Sequence, residues 1–389
     1  MKDRRRKNGP ERIALVIHSM TPGGAERATA TMANGWARRG HAVAVISLDS
    51  GEGEFYELIP AVERIALDVA GESTGPIAAL SANLRRVRSL RRCLLRFAPD
   101  VVIGMMSTSA LLCLAATVGM RCITIGAERT WPARSEDGGF WAKARRWGYA
   151  SLDAVVAQTD AASQWLREHT RARHVVTIPN ALAWPIPSNR PVLAPGSLLA
   201  TERRLLLAVG RPEPVKGFDL LLAAFAIVAG RHQQWDLVIL GEGGRRSSLR
   251  RGAEALALSD RVHLPGQVGN VSDWYERADL FVLSSRAEGF PNVLVEAMAS
   301  GCAVVATRCN AGPADIVHDG EDGLLVDPDD SMALAAALDT LMSDDFLRER
   351  FARRAMQARE RFAEDAILLS WEALFSRHTA GTAPSIPTW

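Results

Sequence analysis

The chain has 389 residues, enough at roughly 100–200 residues per domain for two domains that each bury a core. It is 48% hydrophobic and 23% charged, as an ordinary globular protein is, and no run approaches 18 consecutive apolar residues, which excludes a membrane-spanning helix. The formal net charge is only +2, yet residues 1–190 hold 26 Lys+Arg against 17 Asp+Glu while residues 191–389 hold 20 against 27, so the basic front half points to an anionic partner.

The opening stretch MKDRRRKNGPER is charged, and no signal-type apolar segment follows it. IALVIHSM reads as the first buried strand; TPGGAER turns, and ATATMANGWARRG is helical up to Gly40. HAVAVISLD, DVVIGMM, RCITIGA, DAVVAQT and HVVTIPN are further strand-length apolar runs. Continuous apolar strands alternating with helical patterns imply a parallel sheet covered on both faces. The stretch 183–201, AWPIPSNRPVLAPGSLLAT, is rich in Pro and Ser and is the linker candidate. After it the pattern restarts: RLLLAVG, WDLVILG, RVHLPGQ, ADLFVLS, AVVATRC and GLLVDP are strands, and residues 331–361 are helical.

The expected fold is α/β: two doubly wound, Rossmann-like parallel-sheet domains. Its parts are a basic tail 1–11, an N-terminal domain 12–190, a linker 191–203, a C-terminal domain 204–365 and a tail 379–389, with an amphipathic helix 366–378 packing back on the N-terminal domain. Ligands of such sheets bind beyond the carboxyl ends of the strands, and two domains facing each other can form a cleft there.

Three segments sit at such ends. RAEGFPNVLVEAMASG (286–301) follows ADLFVLSS; Gly289 and Pro291 make a turn, and Asn292 begins a helix whose N–H groups suit a diphosphate. Glu288 and Glu296, eight residues apart, can accept hydrogen bonds from sugar and ribose hydroxyls. Two surface glutamates at a solvated helix start fit the spacing equally. VGRPEPVKG (209–217) brings Arg211 and Lys216, a fork and a point charge for phosphate oxygens. TPGGAER (21–27) offers paired glycines but no G-x-G-x-x-G, so a plain turn serves as well. Asp327-Pro328-Asp329 mimics a metal-binding D-x-D but lies where a helix needs a cap. GEGG (241–244) lacks the GK[ST] of a phosphate loop, and the eight histidines show no H-E-x-x-H. No metal and no cofactor are expected. Five scattered cysteines without a C-x-x-C pair suit a reducing, cytoplasmic compartment.

Together, Glu288-GFPNVLV-Glu296 with EAMASGCAVVAT behind it, GRPEPVKG, HLPGQVGNVSDWYERADLFVLSS and DGLLVDPDD resemble glycosyltransferase family 4, enzymes of the GT-B fold. The opening VIHSMTPGGAERATATMANGWARRGHAV and IGAERTWP resemble a bacterial subgroup that builds capsule, exopolysaccharide and protein-linked glycans and includes N-acetylgalactosamine transferases. The resemblance covers about residues 12–378. It implies a retaining hexosyltransferase that needs no metal, uses a nucleotide-sugar donor (UDP by subgroup likeness), and acts on a glycan or lipid-linked acceptor. It implies that Glu288 contacts the donor hexose, that Gly289, Phe290, Pro291, Asn292, Val293 and Leu294 hold the distal phosphate and sugar, and that Glu296 binds the ribose. Arg211 and Lys216, with Gly210, would neutralise the diphosphate, Gln267 and Val268 would lie beside the base, and Gly23 and Gly24 would approach from the other domain. Many relatives carry a histidine where this chain has Glu128-Arg129, so His18, Glu128 and Arg129 are the acceptor-side candidates.

Two basic stretches, NLRRVRSLRRCLLRF (83–97) and FWAKARRWGY (140–149), make an anionic membrane surface a candidate partner; no nucleic-acid motif accompanies the charge. A sugar-nucleotide epimerase of the same fold and a non-catalytic nucleotide-sugar-binding protein are the alternatives. The sugar, the base, the acceptor and the oligomeric state are not legible.

Overall fold

The six apolar runs before residue 180, joined by one further strand, and the six after it become two separate parallel sheets. The structure, a computed structural model, describes residues 11–21, 23–53, 55–71, 75–134 and 140–380. The tails expected at 1–11 and 379–389 therefore lie outside the described residues, apart from Glu11 and the end of the last helix. In chain order the first unit contains β1 (Arg12–Ile17), α1 (Gly24–Arg38), β2 (Ala42–Ser47), β3 (Val62–Ala66), α2 (Pro76–Phe97), β4 (Val101–Met105), α3 (Ser107–Ala116), β5 (Ile123–Ala127), α4 (Phe140–Gly148), β6 (Ala154–Ala157), α5 (Asp160–His169) and β7 (Val175–Thr177). The second contains β8 (Arg204–Val209), α6 (Phe218–Ala229), β9 (Trp235–Leu240), α7 (Arg246–Ala255), β10 (Val262–Gly266), α8 (Val271–Arg277), β11 (Leu280–Leu283) and α9 (Asn292–Ala299). It continues with β12 (Val304–Thr307), α10 (Pro313–Ile316), β13 (Leu324–Val326), α11 (Ser331–Ser343), α12 (Asp345–Ala355) and α13 (Ala358–Arg361). The last helix, α14 (Glu364–Ala380), belongs to the first unit again.

In the first unit the strand order is β3-β2-β1-β4-β5-β6-β7, all parallel. The chain reverses direction across the sheet between β1 and β4, the switch-point arrangement of doubly wound folds. β3 (Val62–Ala66) carries no continuous apolar run, which is why hydrophobicity alone misses it; it is an edge strand with only Val62 fully buried. α14 packs on α1: Trp36 meets Trp371 edge-on, and both rings are fully buried. Arg39 reaches Glu372 at 2.8 Å and Asp365 at 3.2 Å, and Arg38 reaches Glu364 at 2.6 Å. This is where helix 366–378 was expected, extended by a few residues at each end.

In the second unit the order is β10-β9-β8-β11-β12-β13, again all parallel. The carboxyl ends of β10, β9, β8 and β11 are therefore four neighbours in space. The expected boundaries need correcting. The units divide between Ala181 and Leu182 and between Ala363 and Glu364, not at 190 and 365. The Pro-rich stretch 191–203 is no free linker: Asn270 is buried and clasps Leu193 from both sides, its Oδ1 accepting from Leu193 N at 2.9 Å and its Nδ2 donating to Leu193 O at 3.0 Å. Trp274 Nε1 donates to the same carbonyl at 3.0 Å, and Leu198 and Leu199 join the core under that face. Apolar anchors spaced along a Pro-rich segment outweigh its loop-like composition. Among the described residues no helix is long and apolar enough to cross a membrane.

Candidate active site

Glycine geometry is what lets the second sheet's loops converge. Gly217 ends the loop after β8 in the left-handed region, φ 62°, and a Cβ there would stand 2.1 Å from Ser284 O at the end of β11. The two loops are then stitched. Ser284 Oγ donates to Lys216 O at 2.9 Å, Arg286 N to Val215 O at 2.7 Å, and Arg286 Nη1 to Pro214 O at 2.6 Å. Arg286 is itself clamped by Asp219 at 2.7 Å and Asp329 at 2.7 Å. Its hydrogen bond is the main reason the Asp219 carboxyl falls below its usual range. Asp329 is thus an ion-pair partner, and Asp330 caps α11 by accepting from Ala333 N at 2.8 Å. The cap is therefore the residue after the D-x-D-like triplet, and within the triplet it is Asp329 that is held, by Arg286.

The stitching places Lys216 Nζ 2.7 Å from Glu288 Oε1, with the two side chains 23% and 10% exposed. Ser285 Oγ donates to the same oxygen at 2.6 Å, and Thr307 Oγ1 holds the Ser285 carbonyl. Cys309 is buried close by. Burial first, and the Glu288 charge second, push its thiol up to about 11, so it stands as a neutral wall. Arg211 is exposed, and its side chain makes no hydrogen bond or ion pair among the described residues. Lys216 is paired with a carboxylate, whereas the Arg211 guanidinium has no carboxylate partner among the described residues.

Behind Glu288, the turn Gly289–Pro291 leads into α9, whose N-terminus has no side-chain cap. Gly312, φ 92°, packs against this turn; a Cβ there would lie 2.7 Å from Pro291 Cδ and 3.1 Å from Gly289 O. Phe290 and Leu294 point into the core, while Asn292 and Val293 are half-buried. The contribution of this segment to a ligand is therefore backbone N–H and the helix dipole. Glu296 is 4% exposed on the first turns of α9, and Tyr275 OH donates to its Oε2 at 3.1 Å.

Gly210, Gln267 and Val268 stand at the neighbouring strand ends, Gln267 exposed and Val268 half-buried. The GEGG segment, set aside as a false phosphate loop, lies at the same edge. A Cβ on Gly241 would be 2.1 Å from Gly210 O, and Arg245 N donates to Pro212 O at 3.1 Å. The pairing of β9 with β8 brings it there, and no local spacing reveals that pairing. Arg211, Lys216, Glu288 and α9 are thus brought together at one edge.

The other candidates belong to the first unit. His18 is exposed just after β1, and Gly23 and Gly24 stand at the start of α1. Glu128 and Arg129 follow β5 but are 3% and 7% exposed. Tyr149 OH donates to Glu128 Oε1. Arg129 donates to Asn180 Oδ1 at 2.7 Å and to Met32 Sδ at 3.2 Å, and lies 5.6 Å from the Trp371 ring centroid. Burial pushes its guanidinium down to about 10, so it is charged at neutral pH. Its two terminal nitrogens are taken up by Asn180 and Met32.

Two family models match the chain side by side: Glycosyltransferase Family 4 over residues 22–182 and Glycosyl transferases group 1 over residues 190–358. An exopolysaccharide phosphotransferase of Streptomyces coelicolor is 38% identical over 231 residues, which are 58% of this chain but 23% of that protein. A Campylobacter jejuni alpha-1,4-N-acetyl-D-galactosaminyltransferase, whose name specifies a diNAcBac-PP-undecaprenol-linked glycan, is 27% identical over 94% of this chain and 98% of its own length. The structure of the Anabaena protein HepE in complex with UDP and glucose matches the fold with a TM-score of 0.75 and 20% identity, covering 94% of this chain and 99% of that one.

Proposed function

The chain belongs to glycosyltransferase family 4, enzymes of the GT-B fold, and we propose that it moves a hexose or N-acetylhexosamine from a UDP-sugar, with retention of configuration, to a glycan or polyprenyl-diphosphate-linked acceptor. It is a glycosyltransferase of polysaccharide or lipid-linked glycan synthesis; donor, stereochemistry and acceptor are our reading. The observation that carries it is the Lys216–Glu288 pair, with Arg211 and the α9 N-terminus around it, at the carboxyl edge of one sheet.

The chemistry follows from charge. As the bond from the anomeric carbon to the diphosphate oxygen breaks, negative charge builds on the leaving nucleoside diphosphate. Arg211, Lys216 and the helix N-terminus are fixed cationic groups or dipoles that stabilise it. The acceptor hydroxyl oxygen bonds to the anomeric carbon on the same face, and its proton passes to an oxygen of the departing phosphate. Glu288 orients the hexose, and Glu296 holds the ribose. No metal and no cofactor are assigned. On the acceptor side the reading keeps His18, which is exposed, and gives Glu128 and Arg129 a structural role.

A membrane surface is the partner we assign to α2. Leu80, Leu84 and Leu95 are exposed on it beside Arg85, Arg88, Arg92 and Arg96, whereas Leu90, Leu94 and Phe97 face the core. On α4 the basic-aromatic face loses Arg145, which is buried over Trp165, while Trp147 stays 55% exposed with Arg171 stacked on its ring.

The test is turnover of a panel of sugar nucleotides by wild type and Glu288→Ala. The reading predicts UDP release and transfer by wild type and a loss of at least ~10² in the variant with its melting temperature kept. Normal turnover by Glu288→Ala would falsify the assignment. Flotation with anionic liposomes tests the α2 surface; no lipid-dependent binding at low salt contradicts it.

A further inference from the structure

A carboxylate that reads a sugar must present a particular oxygen in a particular direction, and Glu288 is held in a way that selects one. Both hydrogen bonds made to its side chain fall on Oε1: Lys216 Nζ at 2.7 Å and Ser285 Oγ at 2.6 Å. Both are charge-assisted, the strong class. Oε2 accepts none among the described residues. The two donors differ in kind. Lys216 is flexible, 23% exposed, and has the diphosphate as a competing partner. Ser285 is 1% exposed, and its backbone carbonyl accepts from the buried hydroxyl of Thr307. It has one short χ1 rotor and nowhere else to go.

Resting on the donor-site reading above, we infer that Ser285 is the positioning residue that fixes which hexose hydroxyl Glu288 recognises. With Oε1 fixed by the buried serine, Oε2 is the oxygen turned to the donor sugar, and it stays turned when Lys216 redirects its charge to the diphosphate. Ser285 touches neither sugar nor phosphate; it acts through Glu288. Sequence spacing does not single it out from Ser284, whose hydroxyl goes instead to the Lys216 carbonyl.

A mere packing role and a positioning role part company on deoxy donors. Wild type, Ser285→Ala and Ser285→Cys are compared by steady-state UDP release, using the best donor of the panel and its 3-, 4- and 6-deoxy analogues. Melting temperature is recorded for each protein. The inference expects one deoxy analogue to cost wild type roughly ten- to hundredfold in kcat/KM, the range of one hydrogen bond to a charged group. Ser285→Ala loses roughly tenfold with the full donor, chiefly in kcat, and the penalty for that same analogue shrinks to within about threefold. Ser285→Cys, near in size with a weaker donor, falls between and serves if the alanine variant is unstable. A variant that pays the same deoxy penalty as wild type overturns the inference while leaving the donor site standing. A wild-type protein that releases no UDP from any donor removes both.

Discussion

The two sheets put charged side chains at the same kind of address, just past the carboxyl end of a strand, and treat them in opposite ways. After β11 and β8, Glu288, Lys216 and Arg211 keep some exposure; Glu288 pairs with Lys216 and Ser285, and the Arg211 side chain has no hydrogen bond or ion pair among the described residues. After β5, Glu128 and Arg129 are enclosed by Tyr149, Asn180, Met32 and Trp371. Address alone therefore does not make a ligand site. What decides is whether the chain supplies a lid of its own, and in the first unit α14 does so by laying Trp371 over Arg129.

The sharpest way to test that contrast is to remove the cations one at a time. Lys216→Ala is expected to cost the most, above ~10² in kcat, because it withdraws charge from the leaving group and leaves Glu288 without its ion pair. Arg211→Ala is expected to lose somewhat less, through the leaving group alone. Arg129→Ala should change melting temperature rather than turnover; an Arg129→Ala protein that melts as wild type does and is as slow as Arg211→Ala would break the comparison.

A smaller effect is expected from Glu128→Gln. Losing the charge of a buried acceptor of the Tyr149 hydroxyl costs about 1–3 kcal/mol of stability, seen as a lower melting temperature with kcat within a few-fold of wild type. His18→Ala should show the reverse pattern, lower kcat and unchanged melting. If Glu128→Gln stops transfer in a fully folded protein, the acceptor-side assignment moves to Glu128.

The smallest effect concerns the lid. Burial raises the Glu372 carboxyl, but hydrogen bonds from His41 and Arg39 outweigh it, and the net shift is downward. A depressed folded-state value means that its contribution is complete above the unfolded value near ~4.3 and fades as pH falls through the folded one. The melting-temperature gap between wild type and Glu372→Gln should therefore be largest near neutral pH and narrow steadily below about pH 4.3. A gap that widens on acidification contradicts the sign.

Much of this was legible in the residues. Parallel-sheet strands announce themselves as unbroken apolar runs, and RAEGFPNVLVEAMASG gave both the turn and the start of α9. What escaped were contacts between segments far apart in sequence. Tyr149 lies 21 residues beyond Glu128, Asn270 lies 77 beyond Leu193, and the 241–245 loop reaches the site only through the β8–β9 pairing. Local pattern reports which face a residue seeks, and strand order reports whom it meets there; only the first is written in spacing.

The central proposal is a place, that the nucleotide sugar binds the second unit along Arg211–Gly217, Ser284–Glu288 and the start of α9. Amide hydrogen exchange of the full chain with and without saturating UDP-sugar tests it most directly, since a ligand slows exchange where it orders backbone. The account predicts protection concentrated in 209–217, 241–245 and 284–296, with the first turn of α9 slowed most. Clear binding with no protection in those three segments would contradict it.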